Sequence, residues 1–353
     1  MPGNIMLHLM LHDDWEIYGD GTGDPVSLMF DPARRILDIC DKYQAKYTFF
    51  AEIGQQLNML NAPGRKWTKY ADTWEKVLQN AVARGHDVQL HFHPQWIGAK
   101  LKNGRWKLDV SKWNTAKVDE ALLDEWIGRG AAYLRDLLQK VDSEYELLSF
   151  RAGGWMCQPS TGLYNILKKH GIVCDVSVMK GRYKRFADGG SIDFRDAFSR
   201  FDPWEVNPDN FALEKRGSGI WELPVYTETS RLPHPVYLLS KSFSPLHYYR
   251  IFKKRKIQRG GGQYSPKVVV SEKYKDYYGS FGYMHYRHLV NFVRVVQRQN
   301  QPGEKNRHLI FLTHSKSFLD FDNFDQLLCC LSQDKEINFS RTRDYIRKYY
   351  VKN

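Results

Sequence analysis

Short apolar runs of strand character alternate with amphipathic helical patterns along most of this chain, and that alternation limits the fold more than any other feature. The runs fall at 4–11, 46–52, 87–92, 147–150, 173–178, 221–225 and 308–314. Helical periodicity occupies 32–44, 71–85, 118–140 and 161–171. Parallel strands need a long crossover between them, so a β-α-β-α order predicts a parallel sheet, open or closed into a barrel. With 353 residues, 42% of them hydrophobic, the chain can bury one large α/β core. The stretch 227–284 breaks the rhythm, with Gly260, Gly261 and Gly262 set among basic and aromatic residues. It reads as a basic, aromatic insertion or lid within a single domain spanning 1–353.

The formal net charge of +12 is concentrated late, in 247–279 and 340–353. A solvated basic surface accounts for it, as does attraction to an anionic or lipid-linked substrate. No nucleic-acid motif accompanies the charge, so nucleic acid ranks last among partners. No run approaches the roughly 20 apolar residues of a membrane span, and no cationic segment precedes the first apolar run. The five cysteines include no CxxC pair, which argues against a disulfide framework and against a cysteine-built zinc site. A cytoplasmic location is the expectation.

In parallel α/β folds the reactive groups gather just past the carboxyl ends of the strands. Read at those positions, the sequence supplies His12, Asp13 and Asp14 after the first run and His91 and His93 after the third. Arg151 follows "LLSF", Asp175 lies in the fifth strand, and His314 ends the last one. His91 and His93 are two apart and share a strand face, where both imidazoles can reach one cation. Asp14 is the expected third ligand, on the same side of its strand as His12 and His8, while Asp13 points the other way. Arg151 is placed to ion-pair Asp13 and keep it ionised as a base. His314 is placed to protonate a leaving group. His86 precedes the strand and reads as a packing residue. Trp96, Trp155 and Trp221 are candidates for stacking on sugar rings.

These residues, in this order, resemble the polysaccharide deacetylases, which share the NodB homology fold (carbohydrate esterase family 4). "LHDDWE" matches the paired-aspartate motif, "KYTFFAE" the second strand, and "RGHDVQLHFHPQW" the histidine motif. "FRAGGWM" supplies the arginine, "VCDVSV" the next strand and "LTHSKSF" the final histidine, so the likeness runs from about residue 5 to 318. It implies a distorted, incomplete (β/α) barrel and removal of an acetyl group, N-acetyl ahead of O-acetyl, from a sugar of a surface polysaccharide or its precursor. It implies a divalent metal, zinc first and cobalt or nickel next, held by Asp14 and His91. Asp13 would be the base, Arg151 its orienting partner, His314 the acid and Asp175 a supporting carboxylate. The sequence departs from the pattern where Leu11 and His12 precede the aspartates. It departs again where Gln95 stands in place of the family's second histidine, so that His93 is expected to take over. Other readings of the same residues are another metal-dependent amidohydrolase and a catalytically inactive carbohydrate-binding protein.

Overall fold

The computed structural model describes residues 6–351 except 233–235, 238–245, 248, 252, 254–264, 272–274 and 300–306. Ten strands form the main sheet. In chain order they are β1 (Leu7–Trp15), β2 (Tyr47–Glu52), β3 (Asp87–Phe92), β4 (Ser149–Ala152) and β5 (Cys174–Asp175). There follow β6 (Trp204–Asn207), β7 (Asn210–Glu214), β8 (Trp221–Glu222), β9 (Arg307–Thr313) and β10 (Ile337–Phe339). Their lateral order is β7-β6-β8-β5-β4-β3-β2-β1-β9, with β10 paired to the start of β1. From β8 to β9 all neighbours run parallel; only β6, against β7 and β8, is antiparallel. The sheet curls without closing, as an incomplete barrel: among the described residues no pairing joins β9 to β7.

Every residue of β1, β2, β3 and β9 is buried. That explains their continuous apolar runs, because a parallel strand is covered on both faces and cannot alternate with solvent-facing residues. The covering helices are α1 (Asp31–Lys42), α2 (Ile53–Leu60), α3 (Arg65–Ala83), α4 (Glu120–Leu138), α5 (Thr161–Lys169), α6 (Tyr286–Gln299), α7 (Phe321–Leu331) and α8 (Thr342–Tyr349). α1 packs against α3 and α7, α3 against α4, α4 against α5, and α6 against α7. α1 shows why such segments become helices: Ala33, Ile36, Leu37 and Cys40 recur at helical spacing and all turn inward. α2 begins where it does because the Glu52 carboxylate, at the end of β2, accepts from the Gly54 N–H.

The predicted strands and helices are present, with shifted ends. The first strand continues through Asp13 and Asp14 to Trp15, because Asp13 pairs with Thr313 and Asp14 with Phe50. Much of 227–284 lies outside the described residues. Of the parts described, Thr227–Ser230 pairs with Lys275–Tyr278, and Val268–Ser271 joins a small sheet with Tyr183–Phe186. No helix among the described residues is long and apolar enough to cross a membrane.

Candidate active site

Parallel register brings Glu52, His91 and Arg151 into one lateral row: Glu52 pairs with His91, and His91 with Arg151. β1 lies on the far side of β2, and its two-residue repeat decides what it contributes. His12, Asp14 and, just past the strand, Glu16 reach one set of partners; Asp13 reaches another. Arg151 donates from Nη1 to Asp14 Oδ1 at 2.7 Å, from Nη2 to His12 Nδ1 at 2.7 Å, and from Nε to the Val176 carbonyl at 2.9 Å. Asp13 instead accepts from the Ser315 N–H at 2.8 Å and from the Ser315 hydroxyl, tying β1 to the turn after β9. The expected Arg151–Asp13 ion pair is therefore overturned in favour of Arg151–Asp14, since adjacent strand residues face opposite ways. Burial drives the Asp13 carboxyl up to about 7. It also pushes Asp14 upward, but Arg151, His91 and His314 outweigh it and hold Asp14 below the ordinary carboxylate value.

The histidine pair does converge, with a different carboxylate from the one expected. Glu16, Glu52, His91 and His93 each offer a donor atom, all within 4.8 Å of one another, and Asp14 is not in this group. His93 Nε2 lies 3.1 Å and His91 Nε2 4.0 Å from Glu16 Oε2. Lys316 donates to the other Glu16 oxygen at 2.6 Å. Burial opposes charge on Glu16, yet His93 and Lys316 hold its carboxyl well below the usual range. The complementary shift appears on His93: burial lowers it, but Glu16 raises it above its ordinary value. Glu52 is pushed up to about 8 by burial and accepts from the His93 N–H at 2.7 Å, which anchors the backbone of that ligand. Gln95 is buried in the short turn that follows His93.

His91 tests whether a cation fits. Its Nδ1 lies 2.9 Å from the Arg151 carbonyl, which can only accept, so the ring proton is on Nδ1. Nε2 then carries a lone pair, is buried, and has no hydrogen-bond partner. Burial pushes His91 down to about 4, keeping the imidazole neutral. A neutral imidazole fixed by a carbonyl through one nitrogen, with the other turned toward a histidine and a glutamate, is the state a metal ligand must have. Two histidines and a carboxylate suit a zinc-like ion. Packing around them is tight: a Cβ on Gly153 would lie 2.5 Å from His93 Cγ, so only glycine fits there.

His314 follows β9, with Nε2 3.6 Å from Asp14 Oδ2 and a side chain 27% exposed, the most open group of the set. Burial, helped by Lys316, lowers it to about 4, so it rests as neutral imidazole. Asp175 stays outside the cluster. It accepts from the Ser177 N–H at 3.0 Å and hydroxyl at 2.9 Å, and Ser177 Oγ accepts from the Ala152 N–H at 2.9 Å, bracing the chain beside Arg151. His86 pairs with Asp41 of α1 at 2.9 Å, as a packing residue should. Trp96 is buried against Trp106, and Trp221 rests on Tyr350. Trp155 lies over the Arg151 guanidinium, 5.4 Å from its ring centre. A groove of about 780 Å³ between α6 and α7, with Tyr286 and Asp334 in its lining, shares no residue with the cluster, which is marked by its donor chemistry.

The sequence reading missed Glu16, Glu52 and Lys316. Glu16 continues the period of His12 and Asp14, Glu52 ends β2 at the carboxyl rim, and Lys316 stands two residues after His314. Glu16 is legible as periodicity, and Glu52 and Lys316 by their places at the carboxyl ends of strands.

No protein-family model matches the chain, and no curated protein does. Solved structures do. A 4-alpha-glucanotransferase from Thermococcus litoralis is 12% identical, with 98% of this chain and 40% of that one covered and a TM-score of 0.51. A GH57-type branching enzyme from Pyrococcus horikoshii is 11% identical over 98% and 71% of the two chains, with a TM-score of 0.50. A Mycobacterium smegmatis protein named as a polysaccharide deacetylase is 13% identical over 99% and 92%, with a TM-score of 0.48. At these identities the likeness is one of fold alone.

Proposed function

We propose that this chain is a metal-dependent hydrolase that removes an acetyl group, from nitrogen ahead of oxygen, from a sugar of a surface polysaccharide or its precursor. The observation that carries the reading is the convergence of Glu16, His91 and His93, with a bare His91 nitrogen, beside an Asp14 held ionised by Arg151. Glu16, His91 and His93 would hold the cation, with Glu52 in reach as a fourth donor; zinc suits the set, and cobalt or nickel can replace it. When bound, the metal polarises the acyl carbonyl and acidifies a water. Asp14, as the carboxylate, takes the proton from the attacking water. Neutral His314, 3.6 Å from Asp14, is placed to pass that proton to the departing amine. Lys316 fixes the free oxygen of Glu16 and so its orientation. The acetylated sugar enters this reading from the ordered motifs of the sequence.

The test is acetate release from N-acetylated chito-oligosaccharides, a nucleotide-linked N-acetylhexosamine and an O-acetylated glycan, each with zinc-loaded protein. Acetate from the N-acetyl substrates is expected. Cleavage or transfer of the glycan chain without acetate would assign the site to the glycosidic chemistry named for the Thermococcus and Pyrococcus proteins. No product from any of them would leave a binding protein.

A further inference from the structure

We infer that His12 is a positioning residue for the Arg151–Asp14 pair, and that Thr342, in the first turn of the C-terminal helix, fixes the tautomer in which it works. This rests on the reading of Asp14 as the base.

The argument is one of donors and acceptors. A guanidinium has hydrogens to give and no lone pair to accept with, so in the 2.7 Å contact between Arg151 Nη2 and His12 Nδ1 the histidine must be the acceptor. Its single ring proton is then on Nε2. That nitrogen lies 2.8 Å from Thr342 Oγ1, which receives the proton's hydrogen bond and can turn its own toward Thr48 Oγ1 at 2.9 Å. The chain of donation runs from Arg151 to His12 on one ring nitrogen, and from His12 through Thr342 to Thr48 on the other. Every direction in it is set by the guanidinium.

With His12 in place, the three nitrogens of Arg151 are all engaged: Asp14, His12 and the Val176 carbonyl. The guanidinium also lies 4.0 Å above the Phe50 ring centre. A planar fork held at three points has no freedom to swing from the carboxylate it orients. Without the His12 acceptor, one buried N–H would lose its partner, at a cost that favours a shifted guanidinium. Thr342 is carried to this spot by the C-terminal unit, in which β10 pairs with β1 and the Ser340 N–H donates to the Leu9 carbonyl at 3.0 Å. Residues at the end of the chain thereby support a side chain at the start of it.

The direct test is nitrogen NMR of the protein labelled at histidine, which needs no substrate and no metal. The expected signal for His12 is a neutral imidazole protonated at Nε2, with a slowly exchanging proton whose protection is lost in Thr342→Val. An Nδ1–H tautomer or an imidazolium would overturn the inference, whatever the activity proves to be. In the acetate assay His12→Phe should lower kcat by roughly 10- to 100-fold with KM and bound metal unchanged, the size usual for an orienting partner one step from the reacting groups. His12→Asn, whose side-chain oxygen can stand near the place of Nδ1, should recover most of that loss; His12→Gln should not. Equal loss in the Asn and Gln variants, or an undiminished kcat in His12→Phe, would show that His12 only fills space. If the parent releases no acetate at all, the proposed function fails while the tautomer measurement still decides this inference.

Discussion

His91 and His308 are alike by every local measure and differ in what surrounds them. Each is buried on a parallel strand of the main sheet, and burial brings each down to about 4. Each gives one ring proton to a backbone carbonyl, Arg151 for His91 at 2.9 Å and Pro224 for His308 at 3.0 Å. Each keeps its other nitrogen unpartnered. At His308 the neighbours are the Tyr345 ring, 5.7 Å away, and His8 across the strand pair, and the residue belongs to no group of convergent donors among the described residues. At His91 they are His93 and Glu16. A bare imidazole lone pair with no other donors converging on it is a tolerated packing defect, because an acceptor without a donor forgoes one hydrogen bond and no charge is stranded. The same lone pair beside a second imidazole and a carboxylate is three donors aimed at one point. Convergence separates the two, and no property of either residue alone would have done so.

The largest effect should come from breaking the convergent member. His91→Ala is expected to reduce acetate release by more than about 10³-fold, through loss of a metal ligand, while His308→Ala leaves turnover within a few-fold. A smaller loss, about 10²- to 10⁴-fold, is expected for Asp14→Asn, the size of a removed general base, with bound metal retained. Loss of the metal in that variant would return Asp14 to the ligand set that the sequence first suggested.

Stability should show the reverse ranking. His308→Ala removes a buried hydrogen bond and an aromatic contact, and should cost about 1–3 kcal/mol by urea unfolding. The pH dependence is a finer test. Burial holds His86 and His308 near 4 in the folded chain, against about 6.5 when unfolded. Between these values the unfolded state binds more protons. The stability these neutral histidines provide is thus complete above about pH 6.5 and is lost as pH falls toward 4. Asp13 and Glu52, raised by burial to about 7 and about 8, act with the opposite sign, so their contribution is lost as pH rises through the same range. The two sets oppose each other in the parent, so the reading is a difference: from pH 7 to 4.5 the urea midpoint of the parent should fall relative to that of His308→Gln. A gap between the two that stays constant across that window would contradict the assignment of a neutral buried His308.

How much of this was legible in the sequence varies by element. The β-α alternation located the strands of the sheet because fully buried parallel strands are written as unbroken apolar runs. It said little of β6 and β7, whose short hairpin carries a different pattern, or of β10 and α8, which come back to β1 only in three dimensions. The histidine pair was legible because two residues on one strand face need no tertiary knowledge to be neighbours. The partner of Arg151 was misassigned to Asp13, although the strand period already placed Asp14 on the side of His12. That period was the better guide, and extended by one more step it would have reached Glu16. What no periodicity could supply was the contact of Thr342 with His12, 330 positions apart in the chain.

The measurement that bears most directly on the central claim is metal stoichiometry by elemental analysis, after dialysis against zinc, of the parent, His91→Ala and His308→Ala. The account predicts close to one equivalent in the parent and in His308→Ala, and almost none in His91→Ala. No zinc in the parent, or as much in His91→Ala as in the parent, would contradict it.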